Sequence, residues 1–174
     1  MLRTSKHSLK NIAAGVFLLS GYSLAGDTVN LNVTGNVVAS PCQVSYDSLN
    51  KTVDLGQNIQ TSDLRTAGAT TTWVNFNINI DSCPTGTTKA TMTMHGAADN
   101  SDLASLYTNT GTAANVAVQV QMLSGEAMGD GKSYTGNIVS NAFTYKMQAR
   151  AYTAAGNVTP GTISSVITAT FTYQ

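Results

Sequence analysis

The sequence predicts an all-β fold, specifically an antiparallel β-sandwich. Apolar and polar residues alternate one by one in segment after segment, which is the period of a strand with one buried face. Turn signals rich in glycine, proline and asparagine separate these segments, and no amphipathic stretch of helical length interrupts them. Regularly spaced strands of this kind are typical of two sheets that each bury one face, with immunoglobulin-like topology as the leading arrangement.

Six segments in the middle of the chain carry the alternation. The four longer ones span residues 74–80, 90–94, 116–122 and 143–151. Shorter strands are predicted at residues 52–55 and 132–135, and residues 62–69 are compatible with a short turn of helix. Since no linker, internal repeat or low-complexity segment divides them, we predict a single domain.

A last strand is predicted over residues 162–174, up to the C-terminus. Its apolar face consists of Ile163, Ile167, Ala169, Phe171 and Tyr173. Ser165 and Val166 break the alternation once, and the strand carries no charged side chain. Exposed strand edges are normally covered or blunted by charge, because their unpaired backbone groups attract other chains. Since no further strand follows, we expect another chain to supply the neighbouring strand.

The N-terminal segment, residues 1–25, has the pattern of a secretory signal peptide. Three basic residues precede an apolar core at residues 12–19, and Ser23-Leu24-Ala25 forms a small-x-small cleavage site. The apolar core is shorter than the roughly 20 residues that a membrane-spanning helix needs. We therefore expect the signal to be removed and the mature chain to begin near Gly26.

The next segment, residues 26–38, contains a further alternating strand. One face carries Val29, Leu31, Val33, Gly35 and Val37. The other face is polar, with asparagine and threonine side chains. A spare strand at one end of the chain and an unpaired edge at the other predict head-to-tail assembly, which gives open filaments when the rotation does not close.

Composition excludes several classes of function. Removing the three basic residues of the signal changes the formal charge from 0 to −3, six Lys and Arg against nine Asp and Glu. This balance gives no electrostatic footprint for nucleic acid or anionic lipid. Charged residues make up 10% of the sequence, against about 25% in typical soluble domains. With so few charges to blunt its strand edges, we expect the chain to assemble readily.

Two cysteines, Cys42 and Cys83, remain in the exported chain. An even pair in an oxidising compartment favours one disulfide. Such a bond would close a loop of about 40 residues and contribute roughly 4 kcal/mol in the chain-entropy model. A metal site is the competing interpretation, but the mature chain offers one histidine and no CxxC pair.

The sequence predicts no catalytic residue, no metal and no cofactor. His95 continues the polar side of a predicted strand, and no GxSxG elbow is present. Residues 99–102 partly resemble a Ca²⁺ loop but lack its glycine and distal glutamate, and residues 129–132 indicate a hairpin turn rather than a phosphate loop.

Aromatic residues leave a sugar-binding platform open as an alternative. Trp73 borders a predicted strand, whereas Tyr107, Tyr134 and Tyr152 lie in or near predicted loops. Strand borders and loops are also the positions of ordinary structural aromatic residues. A carbohydrate-binding adhesin subunit is therefore a secondary hypothesis.

A series of short motifs along the mature chain carries a family resemblance. In order, these are Ala39-Ser40-Pro41-Cys42-Gln43-Val44, Val53-Asp54-Leu55-Gly56, Cys83-Pro84-x-Gly86-Thr87, Gly96-Ala97-Ala98-Asp99 and Gly111-Thr112-Ala113-x-Asn115. Gly161 lies fourteenth from the C-terminus and Tyr173 is penultimate. With the signal peptide and the cysteine pair, this order resembles pilin subunits of the chaperone–usher pathway, most closely the minor adaptor subunits at the tip of type 1 fimbriae.

The resemblance implies an immunoglobulin-like fold that lacks its final strand and is completed by donor-strand exchange. Residues 26–38 would be the N-terminal donor-strand extension, with donor positions Val29, Leu31, Val33, Gly35 and Val37. Residues 39–174 would be the pilin domain, with Cys42 and Cys83 as the family disulfide. The acceptor edge, which also binds the chaperone, would comprise Gly161, Ile163, Ile167, Ala169, Phe171 and Tyr173.

The same resemblance implies the partners and the location of the chain. A periplasmic pilus chaperone lends a strand to the open groove, and an outer-membrane usher directs its exchange for the extension of a neighbouring fimbrial subunit. The chain would be exported through the periplasm to a fimbrium on the bacterial surface, as a minor tip or adaptor pilin in cell adhesion. A major shaft pilin is the closest alternative, since shaft and adaptor subunits use the same exchange.

Overall fold

A computed structural model describes residues 30–174. The predicted signal peptide, residues 1–25, and the first donor position, Val29, lie outside the described residues. The chain divides into two compact units, the first ending at Gly35 and the second spanning Asn36–Gln174. In the described part of the chain, no helix is long and apolar enough to cross a membrane.

The second unit is built almost entirely of antiparallel strands. In chain order these are β1 Gln43–Val44, β2 Val74–Asp81, β3 Lys89–Gly96, β4 Leu106–Thr108, β5 Ala117–Met122, β6 Ser133–Asn137, β7 Phe143–Tyr152 and β8 Ile167–Tyr173. A short helix α1, Tyr46–Leu49, follows β1, and a 3₁₀ turn spans Thr61–Leu64. The strands form a five-stranded sheet, β1-β2-β7-β5-β4, and a three-stranded sheet, β6-β3-β8.

The core lies where the apolar faces of the two sheets meet. Met92 from one sheet and Ile80, Tyr145 and Met147 from the other are fully buried and belong to one cluster. Alternation along β3 and β7 places every second side chain in this cluster, as the period of two predicts. The predicted fold class, an all-β antiparallel sandwich, is confirmed, as are the four long predicted strands and the one near residues 132–135. The last strand, predicted over residues 162–174, forms as β8 from Ile167 to Tyr173, and residues 162–166 lead into it without strand pairing.

Two sequence expectations are wrong. Residues 52–55 were predicted to be a strand, but the described structure contains no strand between α1 and β2. Tyr107 is not in a loop: it lies in β4, is fully buried, and its hydroxyl donates a hydrogen bond to the carbonyl of Met128 at 2.8 Å. Tyr134 lies in β6, which was predicted at residues 132–135, and Tyr152 is the last residue of β7, beside a loop as expected. Sequence patterns also missed β1, β4 and α1, because elements of two to four residues show no readable period.

The predicted disulfide is present and ties the start of the domain to the turn after β2. The Cys42 and Cys83 sulfurs are bonded, with a Cα–Cα distance of 4.1 Å. Nearby, the Thr87 hydroxyl donates a hydrogen bond to the carbonyl of Ser40 at 3.2 Å. These two connections hold the point at which the N-terminal segment joins the domain.

Candidate functional site

An open groove of about 1070 Å³ lies beside β8. One wall consists of Ile163, Ile167, Ala169 and Phe171. The opposite wall is the segment between α1 and the 3₁₀ turn, through Val53, Leu55 and Ile59. The floor consists of Phe76, Ile78, Val118, Val120 and Ala149 from the five-stranded sheet. The groove therefore lies along the last strand and combines apolar side chains with polar ones such as Thr52, Gln57 and Ser165.

β8 is an edge strand whose outward backbone groups face this groove. It pairs only with β3, and Lys89 and Gln174 exchange two backbone hydrogen bonds of 2.9 Å. Because bonded and non-bonded positions alternate in an antiparallel ladder, Ile167, Ala169 and Phe171 turn their N–H and C=O groups away from β3. The side chains of the same residues are half-buried on the groove side. Each of these positions thus offers both a side chain and a backbone pair to the groove.

The same edge continues upstream of β8. The carbonyls of Thr162 and Ser164 accept backbone hydrogen bonds from the loop before β5, at 3.1 and 2.8 Å. By alternation, the backbone groups of Ile163 and Ser165 point the other way, toward the groove. Burial also alternates without interruption from Ile163 to Tyr173, so Ser165 is half-buried and Val166 is exposed. The break seen in the sequence is therefore a break in polarity and not in the path of the backbone.

Residues 52–55, which were predicted to form a strand, are part of the opposite wall and form no strand there. Val53 and Leu55 are half-buried and their neighbours are exposed, as in a strand with one buried face. The segment ends in a turn in which the Asp54 carboxylate accepts hydrogen bonds from the Gly56 N–H at 2.9 Å and the Gln57 amide at 2.8 Å. A strand needs a hydrogen-bonded neighbour, and the groove lies where that neighbour would be.

Gly161 marks the entry of the chain into the groove wall. A Cβ atom at this position would lie 2.4 Å from the backbone nitrogen of Ala113. Thr112 and Thr162 fasten the same crossing, because each hydroxyl accepts a hydrogen bond from the other residue's backbone N–H, at 2.9 and 3.0 Å. Only glycine allows the two backbones to approach this closely.

Aromatic side chains support the far end of β8. The Phe171 ring lies 5.8 Å from the ring of Tyr145, and Phe143 packs edge-on against that same ring at 4.8 Å. The Tyr145 hydroxyl donates a hydrogen bond to the carbonyl of Ala90 at 2.8 Å, and burial raises the pKa of this phenol. Burial also raises the pKa of Tyr173. This end of the groove is therefore rigid and apolar.

The predicted site residues fall into two groups. Gly161, Ile163, Ile167, Ala169 and Phe171 line the groove together, and Tyr173 packs against the core beyond its end. The predicted donor positions are exposed: Leu31 by 83%, Val33 by 82% and Val37 by 102%, with open space around Gly35. Residues 30–38 form no strand in the described structure. Sequence reasoning missed the second wall and the floor, although the alternation at residues 52–55 was the signal for that wall.

His95, the histidine considered as a catalytic base, lies on the exposed outer face of β3. Its Nε2 is 3.2 Å from the Thr170 hydroxyl, and its Nδ1 is 3.9 Å from the Asp130 carboxylate. Both partners are themselves at the surface. The arrangement is that of a solvated histidine on a strand.

Comparison with known proteins identifies the family. The profile of the family described as fimbrial protein matches residues 31–174. The chain belongs to this fimbrial protein family. It is 35% identical over 165 residues to protein FimG of Escherichia coli strain K12, covering 94% of this chain and 95% of that one. It is 36% identical over 165 residues to the S-fimbrial adhesin protein SfaS of Escherichia coli O6:K15:H31, covering 93% and 95%.

Solved structures agree on the fold. The crystal structure of the P pilus rod subunit PapA aligns with a TM-score of 0.65 at 24% identity, covering 78% of this chain and all of that chain. A structure of a chaperone–usher pilus aligns with the same TM-score at 22% identity. The expected immunoglobulin-like pilin fold is thus confirmed. The chain is a structural subunit of a surface fimbria that polymerises with neighbouring subunits, and its relatives are structural proteins and not enzymes.

Proposed function

We propose that this subunit polymerises by strand exchange. Its groove accepts the N-terminal extension of one neighbouring subunit, and its own extension, residues 26–38, enters the groove of another. The observation that carries this proposal is the edge from Ile163 to Phe171, where half-buried, mostly apolar side chains and outward backbone groups face one open groove. An extended peptide bound there would pair its backbone with the free backbone groups and bury its apolar side chains between the two walls, as in β-strand addition.

The extension has the side chains that such a groove requires. Val29, Leu31, Val33 and Val37 would each contribute roughly 1.5–3 kcal/mol on full burial. Backbone hydrogen bonds to both walls would add to this, while ordering the extension would subtract from it. Gly35 would pass over a shallow point of the groove, where a larger side chain would clash. Together these contributions are sufficient for a tight noncovalent joint.

Geometry favours a neighbour's extension over the subunit's own. The carbonyl of Ser40 accepts a hydrogen bond from the Thr87 hydroxyl. Thr88, which follows Thr87 in the chain, donates its N–H to the carbonyl of Gln174 at 2.6 Å. The root of the extension therefore lies at the C-terminal end of β8. An extension that folded back from this root would run parallel to β8, whereas one from another subunit is free to run antiparallel. Antiparallel pairing is slightly more stable per residue.

An open edge of this kind needs cover before assembly. An unpaired, uncharged edge strand is an aggregation hazard in the periplasm. We propose that a periplasmic pilus chaperone covers the edge, with Gly161, Ile163, Ile167, Ala169, Phe171 and Tyr173 as its contact set. An outer-membrane usher would then direct the exchange for a subunit's extension, after export by the signal peptide of residues 1–25.

We assign the chain to the minor adaptor subunits at the fimbrial tip. The order of its motifs and its 35% identity to FimG support this assignment. A shaft subunit is the alternative, because the type-1 fimbrial protein A chain of Escherichia coli strain K12 is 34% identical over 175 residues. An adhesin role is supported by the name of SfaS and is the second alternative.

The deciding experiment is a thermal melt of residues 39–174 with added donor peptides. The panel would contain residues 27–38 of this chain and the extensions of other fimbrial subunits from the same strain. A saturating donor should raise the melting temperature by roughly 10 °C or more. If this chain's own peptide gives the largest rise in melting temperature, the result supports the shaft alternative. If the peptide of another subunit gives the largest rise, the result supports the adaptor role. Indifference to every peptide would refute strand acceptance.

A further inference from the structure

The outer face of the five-stranded sheet, turned away from the core, carries an ordered cation. Arg150 on β7 lies opposite Gln119 on β5, and Trp73, the residue before β2, lies on its other side. The guanidinium carbon stands 4.1 Å above the centre of the Trp73 ring. Its Nε donates a hydrogen bond to the Gln119 amide oxygen at 2.7 Å, and Nη1 donates one to the Thr70 hydroxyl at 3.1 Å. Three neighbours therefore hold the guanidinium in one orientation.

No acid neutralises this guanidinium within the described residues. The ion pairs in that part of the chain are Lys51 with Asp47 and His95 with Asp130. An arginine has five N–H donors, and the two hydrogen bonds above leave the others for a further acceptor. Partial burial lowers the pKa of Arg150, but a guanidinium remains charged in proteins. Arg150 is therefore partly desolvated, held in place by its neighbours and not paired with a carboxylate.

The side chains around Arg150 include a second cation and several amides. Lys146 lies on the same side of β7, exposed and without an ion pair. The positions between and beside the two cations carry amides: Asn75, Asn77, Gln121 and Gln148. The nearest acids lie toward the ends of these strands: Ser45 and Ser82 donate to Asp81, and Ser124 donates to Glu126. These hydrogen bonds lower the pKa of both carboxyls, which therefore stay charged. A third acid, Asp47, accepts from the Asn79 amide and pairs with Lys51. Between these acids, the middle of the face carries two cations and four amides, although the mature chain as a whole is predicted to be acidic.

We propose that this face, defined by Trp73, Gln119, Lys146 and Arg150, binds an anionic oligosaccharide through its carboxylate groups. The planar fork of Arg150 suits a carboxylate, and the amides can both donate to and accept from sugar hydroxyls. Apart from the Trp73 ring, the side chains that define the face are polar or charged, so they offer little apolar surface to the anchoring side chains of an acidic peptide. The site is separate from the β8 groove and does not depend on strand exchange.

Trp73 is the single tryptophan of the sequence and contacts Arg150, so its fluorescence reports on the site directly. The exported full chain would be titrated with a hyaluronan hexasaccharide, in which every second sugar is a glucuronate. The matched neutral ligand is a chitin hexasaccharide. We expect a saturable change with the acidic ligand that weakens as salt rises, and an affinity for the neutral one at least about tenfold lower.

Variants connect the signal to the assigned residues. Arg150→Gln should abolish binding, and Arg150→Lys should weaken it at least about tenfold, because it keeps the charge but loses the fork. Arg65→Gln removes the same charge from an exposed position elsewhere and should bind like the parent. If the Arg150 variants have a lowered melting temperature, Lys146→Gln, a substitution at an exposed position, tests the same face without disturbing the fold. Equal binding of the neutral sugar, parent-like binding by Arg150→Gln, or tighter binding of an octaglutamate peptide would each overturn the proposal.

Discussion

Replacing Leu31 with aspartate is the sharpest test of how the extension enters a groove. Leu31 is 83% exposed in the described structure, so nearly its whole side chain remains to be buried when the extension pairs. Losing that burial costs roughly 1.5–3 kcal/mol, and a charge placed in an apolar groove adds to this. Since about 1.4 kcal/mol is tenfold in affinity, Leu31→Asp should weaken the donor at least about 10- to 100-fold.

The matched control is Asn32→Asp, one residue along the same strand. It adds the same charge, but successive side chains point to opposite faces, so residue 32 would face solvent. We expect its affinity to stay within about threefold of the parent, since surface charge changes contribute little. Backbone hydrogen bonds are identical in the two variants, so any difference between them reports on the groove face alone.

The assay uses peptides of residues 27–38 and a fimbrial subunit whose own extension has been removed and which accepts the parent peptide. Competition between labelled parent peptide and each variant gives the ratio of affinities, and the melting temperature of the complex gives an independent ranking. If both aspartate peptides bind alike, the alternation of the extension does not determine its orientation. The placement of Leu31 in an acceptor groove would then be abandoned.

Three further changes test the fold that supports the groove. Replacing Cys42 and Cys83 with alanine removes a cross-link across 41 positions. The free energy of unfolding should fall by about 4 kcal/mol and the melting temperature by about 10–15 °C. A fall of only about one or two degrees would contradict the chain-entropy model of the disulfide. Gly161→Ala places a Cβ 2.4 Å from neighbouring backbone and should cost about 1–3 kcal/mol in urea unfolding, so a neutral result would mean that the crossing is loose. Burial raises the pKa values of Tyr107 and Tyr145 in the folded state, so their contribution to stability is complete below about pH 10 and is lost as pH rises further. Tyrosinate absorbance of these two residues should therefore develop only with unfolding, and early ionisation in the folded chain would count against their burial.

Local periodicity was enough to predict the long elements. Strands such as β3 and β7 extend over enough residues for the period of two to be read directly, and the buried positions are the ones that the pattern selects. The disulfide followed from there being two cysteines in an exported chain. The edge strand β8 was likewise visible as an uncharged alternating segment, because burial of one face imposes its pattern on composition.

The tertiary structure alone decided what depends on neighbours. Residues 52–55 have the alternation of a strand but no ladder, since the adjacent position is the open groove. β1 and β4 exist only through their register with β2 and β5. Ser165 and Val166 follow the alternating backbone despite their polarity, because the pairing on either side sets which way each residue faces.

The Arg150 face illustrates the same limit. Trp73, Gln119 and Arg150 are far apart in sequence, and only the order β2-β7-β5 within the sheet brings their side chains together. A strand's own sequence determines which side chains share a face, because that depends on the period of the backbone. Which strands lie side by side, and therefore which distant residues form a groove or a binding face, depends on contacts that no local pattern encodes.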